Sequence, residues 1–158
     1  MALEFRRVVT GHDASGRAIV KIDEIAKNLV SSRPGATSCV VWTSQGFPVN
    51  NTGDEDAGLR KTGTTLDNGT VFRILELAPG ASPRNHRTDS IDYAVVMSGE
   101  IDTELDGSTV HLKSGDVLVQ RGTIHNWVNR GTVPCVIAFV LIAAKPVEVG
   151  GKVLHAQG

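Results

Sequence analysis

Cysteine is scarce in this sequence. Cys39 and Cys135 are the only two in 158 residues, and two thiols cannot staple a chain of this length into a disulfide framework. Both sit in apolar surroundings and read as small buried thiols. Charge of one sign is missing as well: the net charge is −1, with the signs mixed and no basic patch, so neither nucleic acid nor an anionic membrane surface is an expected partner. Long apolar runs are absent. The longest, residues 133–144, falls short of the ~20 residues of a membrane helix and is rich in β-branched side chains. The opening MALEFRRVVTGHD has no apolar run leading to a small-residue cleavage site. No export leader is therefore expected, and the cytoplasm is the expected compartment. No internal repeat or low-complexity tract breaks the chain.

What is present is enough apolar material for one core. The hydrophobic share is 41%, near the globular average, and a single domain over 1–158 is expected. Residues 6–10 and 18–22 read as strands around the turn GHDASGR. Asp23 could cap a helical turn or two over 23–30, ended by SSRPG. A short strand covers 39–42. A long polar segment, 43–68, follows; loops of that length in a compact domain often cover a site, or else wrap the surface.

From Asn68 onward short strands alternate with turn signals: 70–77, 86–88, 93–97, 100–105, 109–112, 117–120, 125–128 and 135–142. Asp106-Gly107 between alternating strands marks a two-residue hairpin. Such spacing predicts an all-β sandwich or barrel. Two strands, AVVM after Tyr93 and VIAFVLIAA after Cys135, are apolar on both faces. A strand with one face in water alternates instead. The second face must be covered by the N-terminal arm or by a second subunit, and a homodimer joined by a sheet face is the economical expectation.

The chemistry concentrates in PGASPRNHRTDSIDYAVVMSG. Arg84, His86, Thr88 and Asp92 are evenly spaced, so in an extended strand they share a face. A cation, an imidazole, a hydroxyl and a carboxylate are a heavy polar load for a β interior. A second imidazole, His125, stands in GDVLVQRGTIHNWVN. Trp127 shares its parity and is either pocket wall or ordinary core. Asn129 is expected to shape the turn at Gly131.

These two stretches resemble the motifs of the cupin superfamily of jelly-roll barrels. The first, G-x5-H-x-H-x3,4-E-x6-G, is matched in spacing by Gly80, His86, Thr88, Asp92 and Gly99. The second, G-x5-P-x-G-x2-H-x3-N, is matched by Gly115, Gly122, His125 and Asn129, with the lead-in one residue short and Gln120 and Arg121 where prolines are common. The resemblance implies an all-β, cupin-type jelly-roll barrel or sandwich with few helical turns. Its barrel core would span about 69–143, and 1–68 would supply N-terminal strands and the long loop.

The resemblance further implies a metal held by His86, Asp92 and His125, a facial triad suited to Fe, Mn, Ni or Zn. Asp92 is one methylene shorter than the family's glutamate, and Thr88 replaces a ligand histidine. The alternative is a metal-free pocket in which His86 and His125 act as acid and base and Asp92 fixes a tautomer. Arg84, if it faces inward, offers a fork to a carboxylate or enolate oxygen; otherwise it is a surface residue at the barrel mouth. Arg84, Thr88 and Trp127 are the candidate substrate contacts.

Together these expectations describe an enzyme acting on a small polar, anionic or carbonyl-bearing metabolite by metal- or histidine-assisted proton transfer. Isomerisation, dehydration and decarboxylation fit the residues, and an Fe(II) oxygenase is a variant. The alternative is a non-catalytic small-molecule-binding or sensor module.

Overall fold

Along the strand Ser90–Ser98 every second side chain is buried, while Tyr93, Val95 and Met97 look outward. This period of two marks a strand with its inner face on a core. The structure is a computed structural model that describes residues 3–158. It contains strands β1 (Arg6–His12), β2 (Ala18–Ile25), β3 (Leu29–Arg33), β4 (Ala36–Gln45), β5 (Gly69–Leu77), β6 (Ser90–Ser98) and β7 (Glu100–Leu105). It continues with β8 (Ser108–Lys113), β9 (Val117–Arg121), β10 (Asn126–Val128), β11 (Cys135–Ala143), β12 (Val147–Val149) and β13 (Lys152–Leu154). The helical content of the described residues is one 3-10 turn, Ala57–Leu59, and none of their helices is long and apolar enough to cross a membrane.

Two antiparallel sheets form the sandwich. The larger runs β3-β4-β5-β11-β6-β9 and the smaller β10-β7-β8. Between them pack Val71, Leu77, Val96, Ile101, Leu112, Ile137 and Phe139, all buried. This is the all-β jelly-roll architecture that the turn spacing and the motifs lead one to expect. The β7–β8 hairpin closes on Asp106 and Gly107, with Leu105 paired to Ser108.

Two motif glycines have backbones that a side chain would strain. Gly99 has φ 75° and lies so close to Pro134 that a Cβ would meet its carbonyl oxygen at 2.7 Å. Gly122 has φ 60°, with Val147 Cγ2 2.8 Å from the same hypothetical atom. Both conformations favour glycine. Asn129 shapes its turn as expected. Its amide donates to the carbonyls of Leu77 and Val133, and its Oδ1 accepts from the Gly131 N–H.

The N-terminal third departs from expectation. No helical turn forms over 23–30. Residues 18–25 pair with β1, and Asp23 accepts both guanidinium bonds of Arg6 at 2.7 Å. Pairing between strands outcompetes a weak local helical preference. The expected strand at 86–88 is reduced to bridges, His86 to His125 and Arg87 to Gln157.

Candidate active site

The two histidines meet. His86 and His125 exchange reciprocal backbone hydrogen bonds, N–H to carbonyl at 2.9 Å in each direction. Directly paired residues of an antiparallel bridge project to the same side, and the rings stack at 4.2 Å between centroids, tilted by 54°. Both line a cavity of about 530 Å3 that opens between the sheets beyond the packed core.

The hydrogen-bond pattern sets the tautomers. His86 Nδ1 lies 3.0 Å from the carbonyl of Arg84, and His125 Nδ1 lies 2.9 Å from that of Thr123. A carbonyl only accepts, so both Nδ1 atoms carry the proton and both Nε2 atoms present a lone pair. His125 Nε2 accepts from the Gln120 amide at 3.1 Å. His86 Nε2 has no hydrogen-bond partner among the described residues. Burial drives the His86 ring down to about 4, helped by the neighbouring His125, Arg84 and Arg33 and only partly opposed by the Arg84 carbonyl. Burial also lowers His125. Both rings are therefore neutral at physiological pH.

Asp92, on β6, faces the same cavity and is 3% exposed. Gln120 on β9 donates to its Oδ2 at 2.9 Å, and the Ser90 hydroxyl stands 2.5 Å from its Oδ1. Burial pushes this carboxyl up, against the pull of Ser90, Gln120, His125 and Arg73. The Gln120 amide thus bridges Asp92 to His125. Thr88 stands back from the cavity lining. It is buried, with its hydroxyl 2.8 Å from Ser90 Oγ. Trp127 serves as both wall and core: it lines the cavity and packs edge-on against His125 and Phe139.

Arg84 also lines the cavity, half-buried, with weak bonds to Thr64 Oγ1 at 3.4 Å and the Gly158 carbonyl at 3.3 Å. Two contributors escape a reading of the sequence: Arg33 on β3 and Arg73 on β5 bring two more guanidinium groups to the lining. Residues 58–64 of the long loop, whose length pointed to either a site cover or a surface wrap, form part of the wall. Arg73 gave no signal, because a charged residue in a half-buried strand is assigned to solvent by default.

A two-sheet jelly roll with a ligand-sized cavity lined by two neutral imidazoles and a buried carboxylate defines a class of small-molecule-handling β-barrels. Residues 73–142 match the family model described as "Cupin domain". The chain is 39% identical over 159 residues to the Phomopsin biosynthesis cluster protein C' of Diaporthe leptostromiformis, covering 94% of this chain and 83% of that one. It is 33% identical over 154 residues to the cupin-domain-containing oxidoreductase fogC of Aspergillus ruber, covering 92% and 76%. Among solved structures it is similar to the polyketide cyclase RemF from Streptomyces resistomycificus, with a TM-score of 0.51, 19% identity and 77% of each chain covered. The chain belongs to the cupin family.

Cupins commonly bind a divalent metal, so the donor set must be tested for fit. His86 Nε2 is open, and its Nδ1–H bond to a carbonyl is the usual support of a ligating imidazole. His125 Nε2 and Asp92 Oδ2, however, both accept from the Gln120 amide nitrogen, which stands between them. Among the described residues no group of three or more His, Cys, Asp or Glu side chains is arranged to hold a metal ion. As arranged, these residues do not fit one.

Proposed function

We infer that the chain is an enzyme that moves a proton at a carbon next to a carbonyl group, with His86 as the base. The observation that carries this reading is the unengaged Nε2 of His86 in the cavity wall, on a ring fixed through Nδ1 by the Arg84 carbonyl. A base must be both unprotonated and placed within reach of the proton it takes. The proton leaves carbon for His86 Nε2, and the electron pair moves onto the carbonyl oxygen. Arg84 offers guanidinium N–H donors to the enolate so formed. His125, Gln120 and Asp92 hold a fixed network behind the base. Returning the proton to another carbon gives an isomerase outcome, and delivering it to a departing β-hydroxyl, which leaves as water, gives a dehydratase outcome; in a decarboxylase outcome the breaking C–CO2 bond supplies the enolate's electron pair, Arg84 holds the enolate, and the carbon then takes a proton from solvent by way of His86.

The relatives' names support a place in the synthesis of specialised metabolites. The word oxidoreductase borne by the Aspergillus ruber relative favours a second reading, in which dioxygen accepts the electrons of the same enolate. The two readings share the first step and separate on oxygen consumption.

The test is solvent exchange. A panel of β-keto and α-keto acids is incubated in D2O and the hydrogens next to the carbonyl are followed by NMR. The wild type is expected to catalyse exchange, and His86→Ala to slow it by about 100-fold or more, the scale of general-base catalysis. Tight binding of a panel member without exchange would instead favour the non-catalytic binding module.

The partner in this reading is a second copy of the chain. Supporting it is the outer face of β6 and β9, where Tyr93, Val95, Met97, Val117 and Val119 are exposed side by side, with charge only at Arg121. Apolar patches of this kind mark interaction sites.

A further inference from the structure

Five cationic side chains, Arg33, Arg60, Lys61, Arg73 and Arg84, line the cavity against a single carboxylate, Asp92. The whole chain carries a net charge of −1, so this is a local concentration of positive charge. Arg60 is answered by Glu55. Arg33, Arg73 and Arg84 take part in none of the ion pairs among the described residues. Their bonds go to neutral oxygens: Arg33 Nε to the Ser82 carbonyl, Arg73 Nη2 to the Gly63 carbonyl, and Arg84 to Thr64 and Gly158.

Arg73 is the most telling of the three. It stands on the inner face of β5 with Val71, Leu75 and Leu77, opposite Phe139 of β11, where packing alone would place an apolar residue. Its Nε is buried without a hydrogen-bond partner. Burial and the charge of Arg84 both weaken its hold on its proton, with Asp92 across the cavity opposing them in part. A half-buried guanidinium with a buried, unused Nε donor and no ion-pair partner in contact is costly to maintain, and its planar fork matches a carboxylate. The remaining wall is apolar, from Leu75, Phe139, Leu141 and Trp127. A volume of about 530 Å3 is the size of a site for a drug-sized molecule and exceeds the needs of a simple keto acid.

We propose that the cavity takes an amphipathic organic anion, its acid group anchored by Arg73 with Arg84 and Arg33 beside it and its apolar body against Leu75, Phe139 and Trp127. This rests on the reading of the cavity as the substrate site, and it replaces a small polar substrate with a larger ring- or chain-bearing acid. Arg73 is then the residue that sets specificity for acids, with His86 reaching the part of the ligand beyond the anchored group.

The test uses 2-naphthoate and its uncharged analogue 2-naphthamide as probes, titrated into the full chain by calorimetry. Naphthoate is expected to bind about tenfold tighter or more than the amide, the scale of a charge-assisted hydrogen bond. Arg73→Met should bring the two within about twofold, and Arg73→Lys should retain part of the preference. The wild-type ratio needs no variant, so a misfolded Arg73→Met leaves the test intact. Equal binding of the two probes, no binding of either at millimolar concentration, or an undiminished preference in Arg73→Met would overturn the proposal. The His86→Ala exchange experiment is read separately. Lost exchange chemistry with a surviving acid preference would sink the proton-transfer reading alone, and the reverse outcome would sink this one alone.

Discussion

His86 holds its lone pair at neutral pH because its ring is withdrawn from water, and the consequence is measurable. With its folded value at about 4, kcat/KM for any His86-dependent reaction should stay level as pH falls through 6.5 and decline only near pH 4. The stability consequence has a definite sign. Between about 4 and the unfolded histidine value near 6.5, the unfolded chain binds a proton that the folded chain does not, so stability rises with pH across that window and is lost as pH falls through it. His125 acts in the same direction. Asp92, pushed up, opposes them, since its contribution fades as pH rises. Urea midpoints at pH 4.5 and 7 should therefore differ in favour of pH 7, and His86→Ala should shrink the difference. At this scale much of the site was legible. His86, His125 and Asp92 carry spacing that points to a common interior spot, and they reach it. The parity argument fails for Thr88, which is buried behind the lining with its hydroxyl bonded by Ser90. It misses Arg73 because Phe72, Arg73 and Ile74 sit on a strand whose two faces are both partly buried, so alternation cannot say which one holds the cavity.

Among the elements, the β1–β2 hairpin and the long loop are joined by one side chain. Arg7 is buried on β1, and its guanidinium bonds Asp56 at 2.6 and 2.9 Å and Glu24 at 2.6 Å. Asp56 also caps the turn Ala57–Leu59 by accepting from the Gly58 N–H, and that turn leads into the 58–64 wall of the cavity. Arg7→Ala is expected to cost about 3 kcal/mol in denaturant unfolding, the low end for breaking a buried ion pair because Asp56 and Glu24 keep contact with solvent. It should also loosen the cavity wall, read as weaker naphthoate binding. None of this linkage was visible from the chain alone, since an arginine and an aspartate 49 positions apart carry no local pattern. The short strands β12 and β13, three residues each, fall below the length at which alternation can be recognised. The strands from β5 to β11 other than β10 were legible because glycine marks most of their turns and they are long enough to show a period.

For the whole molecule, the open matter is the outer face of the larger sheet. The sequence indicated that β6 and β11 are apolar on both sides, and the structure leaves Tyr93, Val95 and Met97 on that face at 42–48% exposure, with the β1–β2 hairpin elsewhere. If a second copy covers them, Val95→Glu combined with Val119→Glu should shift the protein from dimer to monomer in sedimentation equilibrium, because a charge cannot be buried there without a partner. The exchange chemistry of the monomer would then show whether each cavity works alone. A wild type that sediments as a monomer would leave this face to some other occupant.

The reciprocal amide pairing of His86 with His125 holds together, at the cavity wall, two segments 39 positions apart in the chain. Loosening that single clasp would separate the two imidazoles, and with them the proposed chemistry, while the sandwich stayed folded. The deuterium uptake of just these two backbone N–H groups would then be a gauge of competence, independent of any substrate.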